Sequence, residues 1–279
     1  MMNSQNNPEI YFHVGLGKAA STFLQYSVFP KFKGVCYIQR TRYKRAPEII
    51  SAGKHKKYLV SGELDNRLFG NYIREFSAKF PETRTMIILR RHDSWIASQY
   101  RRYLKNGFAL SFNEFFDLTD DRGFWKQKDL YFLPLILLLE QYFKFKPLVL
   151  FYEDLQENPT GFISNIGDFV GAHYNIADIN LTYRHSSYND KQLKAIMAVS
   201  KRTDFLRKRT SKNKTVRVFI GLIPNLIRYS VLYTARLLPD RLFPDNTLVP
   251  PGILSEIRQK YTPDWEQCLS YARTNNPLP

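Results

Sequence analysis

A chain of 279 residues with 44% hydrophobic side chains can bury one sizeable core, and one decorated α/β domain is expected rather than two independent domains. Its 41 basic against 25 acidic residues give a net charge of +16, a field that favours anionic partners (nucleotides, acidic glycans, nucleic acid, anionic lipid) without choosing among them. The two cysteines, Cys36 and Cys268, have no metal-ligand spacing and form no disulfide framework, which suits a reducing compartment and excludes a zinc or disulfide scaffold.

Met1 to Glu9 is polar and lacks the apolar core of a signal peptide. Ile10 to Val14 is a short apolar run suited to a buried strand. Gly15-Leu16-Gly17 reads as a turn, and Ala19 to Tyr26 as a helix with Ser21 and Thr22 in its first turn. A second strand is expected at Gly34–Ile38, then a loop carrying Arg40, Arg42, Lys44 and Arg45, then a third strand at Lys57–Ser61 that ends in Gly62-Glu63-Leu64-Asp65. Apolar spacing predicts a helix from Arg67 to Phe80, stopped by Pro81. Thr85–Leu89 is continuously apolar and flanked by charge, as in a parallel sheet covered on both faces. A helix follows from about Asp93 to Leu104, Ser111 and Glu114 form a capping box, and Asp129–Phe143 is a mostly apolar helix.

Pro147–Tyr152 is another buried strand, and Asn158-Pro159 opens a helix that ends near Gly171. Strands alternating with helices over residues 10–190 predict a three-layer parallel α/β core. Residues 191–279 carry only helix and loop signals: a basic, exposed, mobile loop at Lys201–Arg217, then helices at Val218–Leu238, Ile253–Tyr261 and Asp264–Ala272. Leu130–Leu139 is too short to span a bilayer and contains Pro134, and Val218–Leu238 is interrupted by Pro224, Asn225, Arg228 and Arg236, so it reads as amphipathic. A cytoplasmic location follows, with peripheral contact at the inner membrane surface left open. The basic stretch has two readings: a guide for an anionic acceptor, with the next helix resting on a membrane surface, or a solvated charge run.

A strand that turns through glycines into a helix aims backbone N–H groups and a helix-dipole end at one spot, which binds phosphate. Lys18 adds a charge there. The stretch is not a Walker A loop, since Phe12 stands where the first glycine belongs and Ala19 follows the lysine. Lys18-Ala19-Ala20-Ser21-Thr22 resembles instead the 5′-phosphate loop of sulfotransferases that use 3′-phosphoadenosine-5′-phosphosulfate (PAPS), with Ala20 in place of the usual glycine. Residue 20 is therefore expected to hold a negative φ or to carry strain. The resemblance continues in Ile87-Ile88-Leu89-Arg90-Arg91-His92-Asp93-Ser94-Trp95, where Arg90 ends a strand and Ser98 stands eight residues later. It recurs in Tyr152-Glu153-Asp154-Leu155, read as packing for the sheet, and in Asp168-Phe169-Val170-Gly171.

The resemblance covers residues 10 to about 190 and implies a P-loop-like sulfotransferase fold with a helical C-terminal extension. It implies PAPS as donor and adenosine 3′,5′-bisphosphate as product. Lys18 would stabilise the leaving oxygen, the N–H groups of residues 19–22 with Ser21 and Thr22 would hold the 5′-phosphate, and Arg90 and Ser98 the 3′-phosphate. No metal is required, and no metal-ligand cluster is seen. Glu63 is the first choice for the base that takes the acceptor's proton, with His92 and His185 as alternatives, while Arg184 and Ser186 beside His185 are expected to contribute to the cofactor site. His13 reads as core. The acceptor is expected to be a hydroxyl or amine of a carbohydrate or glycolipid, with no specific nucleic acid partner. Two other readings stay open: a P-loop phosphotransferase, which Ala19 argues against, and a basic binding protein for nucleic acid or membrane.

Overall fold

The computed structural model describes residues 7–64, 69–181, 188–203, 205, 214–243, 245 and 247–276, with backbone alone for 214–221. Arg184, His185, Ser186 and most of the basic stretch between Lys201 and Arg217, which the sequence singled out, lie outside the described residues. In chain order the elements are β1 (Glu9–His13), α1 (Ser21–Phe23), β2 (Cys36–Ile38), α2 (Ala46–Ser51), β3 (Lys57–Ser61), α3 (Phe69–Ser77), β4 (Arg84–Leu89), α4 (His92–Lys105) and α5 (Phe112–Phe115). They continue with α6 (Leu133–Tyr142), β5 (Leu148–Phe151), α7 (Tyr152–Glu157), α8 (Pro159–Val170), α9 (Asp190–Ser200), α10 (Lys214–Thr234) and α11 (Pro251–Asn275).

The chain forms two compact units that interleave in sequence: Met1–His92 with Asp129–His185 and Lys260–Pro279, and Asp93–Lys128 with Ser186–Gln259. The first holds a five-stranded, all-parallel sheet in the order β2-β3-β1-β4-β5. β1 is central, pairing with β3 from Glu9↔Lys57 to His13↔Ser61 and with β4 from Tyr11↔Arg84 to His13↔Met86. Its alternate side chains serve opposite faces. Tyr11 meets Phe169 of α8 edge-on at 5.5 Å, whereas Phe12 packs on Phe76 of α3 at 4.6 Å. Both faces are thus covered by helices, which explains the continuous apolar runs of β4 and β5. On the α8 side, Leu24, Val28, Met86, Ile88, Ile163 and Ile166 make one buried cluster.

Several elements depart from the sequence reading. The helix expected from Ala19 starts at Ser21, because Ala20 takes a left-handed conformation, and it widens into a π turn at Leu24–Val28. The expected loop after Gln39 is a 3-10 turn leading into α2, whose first turn takes Pro47 without loss since no N–H is needed there. Tyr152 begins α7 rather than ending β5. The basic stretch is helical from Lys214 onward. The two C-terminal helices are one, with Pro263 in its interior.

A buried tie lies next to Pro263. Asp264 accepts from His92 Nε2 at 2.9 Å and from the amides of Phe132 at 2.8 Å and Leu133 at 3.2 Å. The His92 ring is sandwiched between Phe132 at 4.3 Å and Tyr261 at 5.1 Å. At 3% exposure and with Nε2 engaged, His92 is a structural group and not an accessible base.

The second unit has its own aromatic core, in which Tyr100 packs on Phe112 and Phe115, and Trp95 meets Trp125 edge-on at 5.3 Å. The Ser111–Glu114 capping box forms as expected. Asn189 and Gln192 make a second box, and Gln192 also donates to the Leu232 carbonyl at 2.8 Å, tying α9 to α10.

Asp264→Ala strands two buried amides and one imidazole. It is expected to lower the unfolding free energy by about 3 kcal/mol in a urea titration, against under about 0.5 kcal/mol for an exposed control such as Glu48→Ala.

Candidate nucleotide site

In open parallel sheets, ligands sit beyond the carboxyl ends of the strands, where the chain reverses its direction across the sheet. Here that point lies between β1 and β4, since β2 and β3 lie to one side of β1 and β4 and β5 to the other. The Lys18 loop leaves β1 there, and Arg90 leaves β4 beside it.

The loop backbone is set by three residues at positive φ: Gly15 at 59°, Lys18 at 75° and Ala20 at 63°. Gly15 has no alternative, since a Cβ would fall 3.1 Å from the Gly62 carbonyl and 3.2 Å from Ser21 Oγ. Lys18 and Ala20 carry side chains through a region that costs each about 1 kcal/mol. Ala20 thus takes the strained option. The glycine of the resembled motif would hold the same conformation freely.

The turn is closed by two bonds onto the Leu16 carbonyl, from the Ala19 amide at 3.2 Å and from Ser21 Oγ at 3.1 Å. The expectation that the Ala19 amide and the Ser21 hydroxyl face a ligand is corrected: both are turned inward, because so tight a turn needs its own carbonyl satisfied. The first helical bond runs from the Leu24 amide to the Ala20 carbonyl, so the amides of Ser21, Thr22 and Phe23 have no intrahelical acceptor. The half-buried Thr22 hydroxyl and Lys18 belong to the same loop, and amides of this kind at a helix start suit an anion.

Arg90 closes the second side. Its Nη1 donates to the Lys18 carbonyl at 3.2 Å, and its guanidinium lies 4.5 Å from the centre of the Tyr152 ring. Glu153 accepts the Arg91 amide at 3.0 Å. The Tyr152-Glu153 pair therefore places the β4 exit, a role beyond the sheet packing read from the sequence. The sequence showed this aromatic-acidic pair just after a buried strand, and the sheet order makes that strand the neighbour of β4.

Glu63 stands at the end of β3, next to the loop. The ladder runs on past the strands, with the Gly62 amide donating to His13 at 2.9 Å and the Leu64 amide to Val14 at 3.3 Å. Its half-buried carboxylate is bonded by Arg40. Ser98 is half-buried on α4, in the second unit.

Beneath the loop lies a buried polar cluster. His13 Nδ1 bonds Ser61 Oγ at 2.9 Å, and Gln25 Nε2 donates to Ser61 Oγ at 3.1 Å and to the Gly62 carbonyl at 3.0 Å. His13 is core, as its place inside β1 suggested. Burial pushes its imidazole down from 6.5 to about 3, which keeps it neutral. Among the described residues, no group of three or more His, Cys, Asp or Glu is placed to hold a metal ion.

The chain matches no family model, and no curated protein matches it. Among solved structures it is similar to a sulfotransferase from Alicyclobacillus acidocaldarius, at 13% identity and a TM-score of 0.47 over 69% of this chain and 92% of the other. It is also similar to the mouse sulfotransferase SULT7A1 complexed with PAP, at 17% identity and a TM-score of 0.40 over 74% of this chain and 69% of the other.

Two outcomes follow from this geometry. Ala20→Gly relieves the left-handed Cβ and is expected to raise the unfolding free energy by up to about 0.5 kcal/mol after the entropy cost of glycine. His13 takes up its proton only in the unfolded chain between about 6.5 and about 3, so its contribution is whole above pH 6.5 and is lost as pH falls. Urea titrations from pH 7 to 5 should therefore show a stability slope that His13→Asn flattens by up to about 1.4 kcal/mol per pH unit.

Proposed function

We propose that this protein is a sulfotransferase that moves a sulfuryl group from PAPS to a hydroxyl or amine, on a carbohydrate or glycolipid acceptor. One observation carries the reading: the Lys18 loop and Arg90, far apart in sequence, meet in a hydrogen bond at the carboxyl edge between β1 and β4. A loop that holds Lys18 and Ala20 at positive φ is built to turn amides toward an anion, and a merely basic surface has no need of it.

The donor, when bound, supplies a sulfuryl group whose transfer leaves negative charge on the bridging phosphate oxygen. In this reading the Lys18 ammonium neutralises that charge. The Ser21, Thr22 and Phe23 amides, with the Thr22 hydroxyl, hold the 5′-phosphate. Arg90, braced by Tyr152, pairs with the 3′-phosphate through charge-assisted bonds, and the share expected of Ser98 in that phosphate rests on the motif alone. Glu63 takes the acceptor's proton, with Arg40 fixing its carboxylate. The net charge of +16 favours an acidic or phosphorylated glycan.

Thermal unfolding with adenosine 3′,5′-bisphosphate tests the nucleotide half of the reading. At about a hundredfold excess over Kd the midpoint should rise by roughly 5 °C, while ATP with Mg²⁺ should give a smaller shift. The reverse order would favour a phosphotransferase, and no shift with either would leave a basic binding protein. In a transfer assay with labelled PAPS and a panel of glycans, Lys18→Ala should lower kcat about 10²–10³-fold with a smaller change in donor affinity.

A further inference from the structure

The α10 helix covers the second unit with one face and leaves the other bare. Leu232, and Ala235 just beyond the helix, are fully buried. On the opposite side Leu222, Leu226, Tyr229 and Tyr233 follow one another at intervals of four, three and four residues, which puts them in one line along the helix. Leu226 is 69% exposed and Tyr233 63%, and Ile223 and Ile227 widen the stripe. Scattered exposed apolar residues are ordinary, but a continuous line of leucine and tyrosine on one helix face is not.

Along α10 itself the charge has one sign. The sequence has no acidic residue between Asp204 and Asp240, while Lys and Arg recur throughout that interval. Of the described basic groups, Arg236 and Arg241 are exposed, and Asp240 is countered by Lys191 at 2.9 Å. Among the described residues no helix is long and apolar enough to cross a membrane. A helix with an exposed apolar face, tyrosines along it and no acidic residue of its own has the composition of one that lies in the headgroup layer of an anionic bilayer. A second copy of the chain is a poorer occupant, because a two-fold contact would bring like charges face to face.

We propose that the outer face of α10 docks this protein on anionic lipid, with Leu222, Leu226, Tyr229 and Tyr233 entering the interface and Arg236 and Arg241 meeting phosphate headgroups. The proposal stands apart from the reading of the nucleotide site.

The test is co-sedimentation of the full chain with vesicles of phosphatidylcholine alone or mixed with phosphatidylglycerol. Wild type should bind the mixed vesicles and not the neutral ones, and added salt should weaken binding. Leu226→Glu with Tyr233→Glu, both on exposed positions, should lower the partition coefficient at least about tenfold. Arg236→Glu with Arg241→Glu should lower it severalfold, with unfolding midpoints unchanged in both variants. Absence of binding to the mixed vesicles, equal binding to both kinds, or full binding by the Leu226/Tyr233 variant would overturn the proposal. So would a light-scattering mass of a dimer that the same variant converts to monomer.

Discussion

The contact between the Arg90 guanidinium and the Lys18 carbonyl joins two strand exits that 72 residues of chain separate. A carbonyl aimed at a guanidinium is possible only because Lys18 and Ala20 hold the loop in the left-handed region, against the preference of their side chains. That strain is offset by what surrounds it: the bonds onto the Leu16 carbonyl, the close approach allowed by Gly15, and the His13-Ser61-Gln25 cluster below. A neutral imidazole suits such a cluster, because burial strips the water that a charged ring would need.

The same economy appears two residues after Arg90, where the chain leaves β4 for α4. His92 stands where the chain enters α4, and its bond to Asp264 makes α11 part of the sheet's framework. Asp264 caps α6 as well, so one carboxylate beside a mid-helix proline serves three segments. A histidine beside a strand-end arginine invites a catalytic reading. Its stacking between Phe132 and Tyr261 shows why burial and partners decide the matter, and residue type does not.

Much of the first unit was legible in the sequence because its signals are local. The strands Lys57–Ser61 and Thr85–Leu89 are short apolar runs between charges, and Asn158-Pro159 is a cap that needs no tertiary context. What escaped depends on distant partners. The α11 helix runs through Pro263 because Tyr261, Trp265 and Cys268 are buried together with Asp264, and no window around Pro263 contains that information. Within the site, the family resemblance singled out the loop and Arg90, and the structure brings the two together. The inward turn of the Ser21 hydroxyl was not legible, since it follows from the φ of its neighbours. Tyr152 was visible as a motif but its place under Arg90 came only with the sheet order, which makes β5 the neighbour of β4. The basic C-terminal part kept its two readings, since exposure alone does not say what a surface meets.

The central claim is that the loop and Arg90 form one nucleotide site in which Arg90 reads a 3′-phosphate. The most direct test is calorimetric affinity for adenosine 3′,5′-bisphosphate and for adenosine 5′-monophosphate, in wild type and in Arg90→Ala. The account predicts that wild type prefers the bisphosphate by at least about tenfold and that the preference collapses in the variant, while affinity for the monophosphate changes little. Equal affinity of wild type for both nucleotides, or a preference that survives Arg90→Ala, would contradict it.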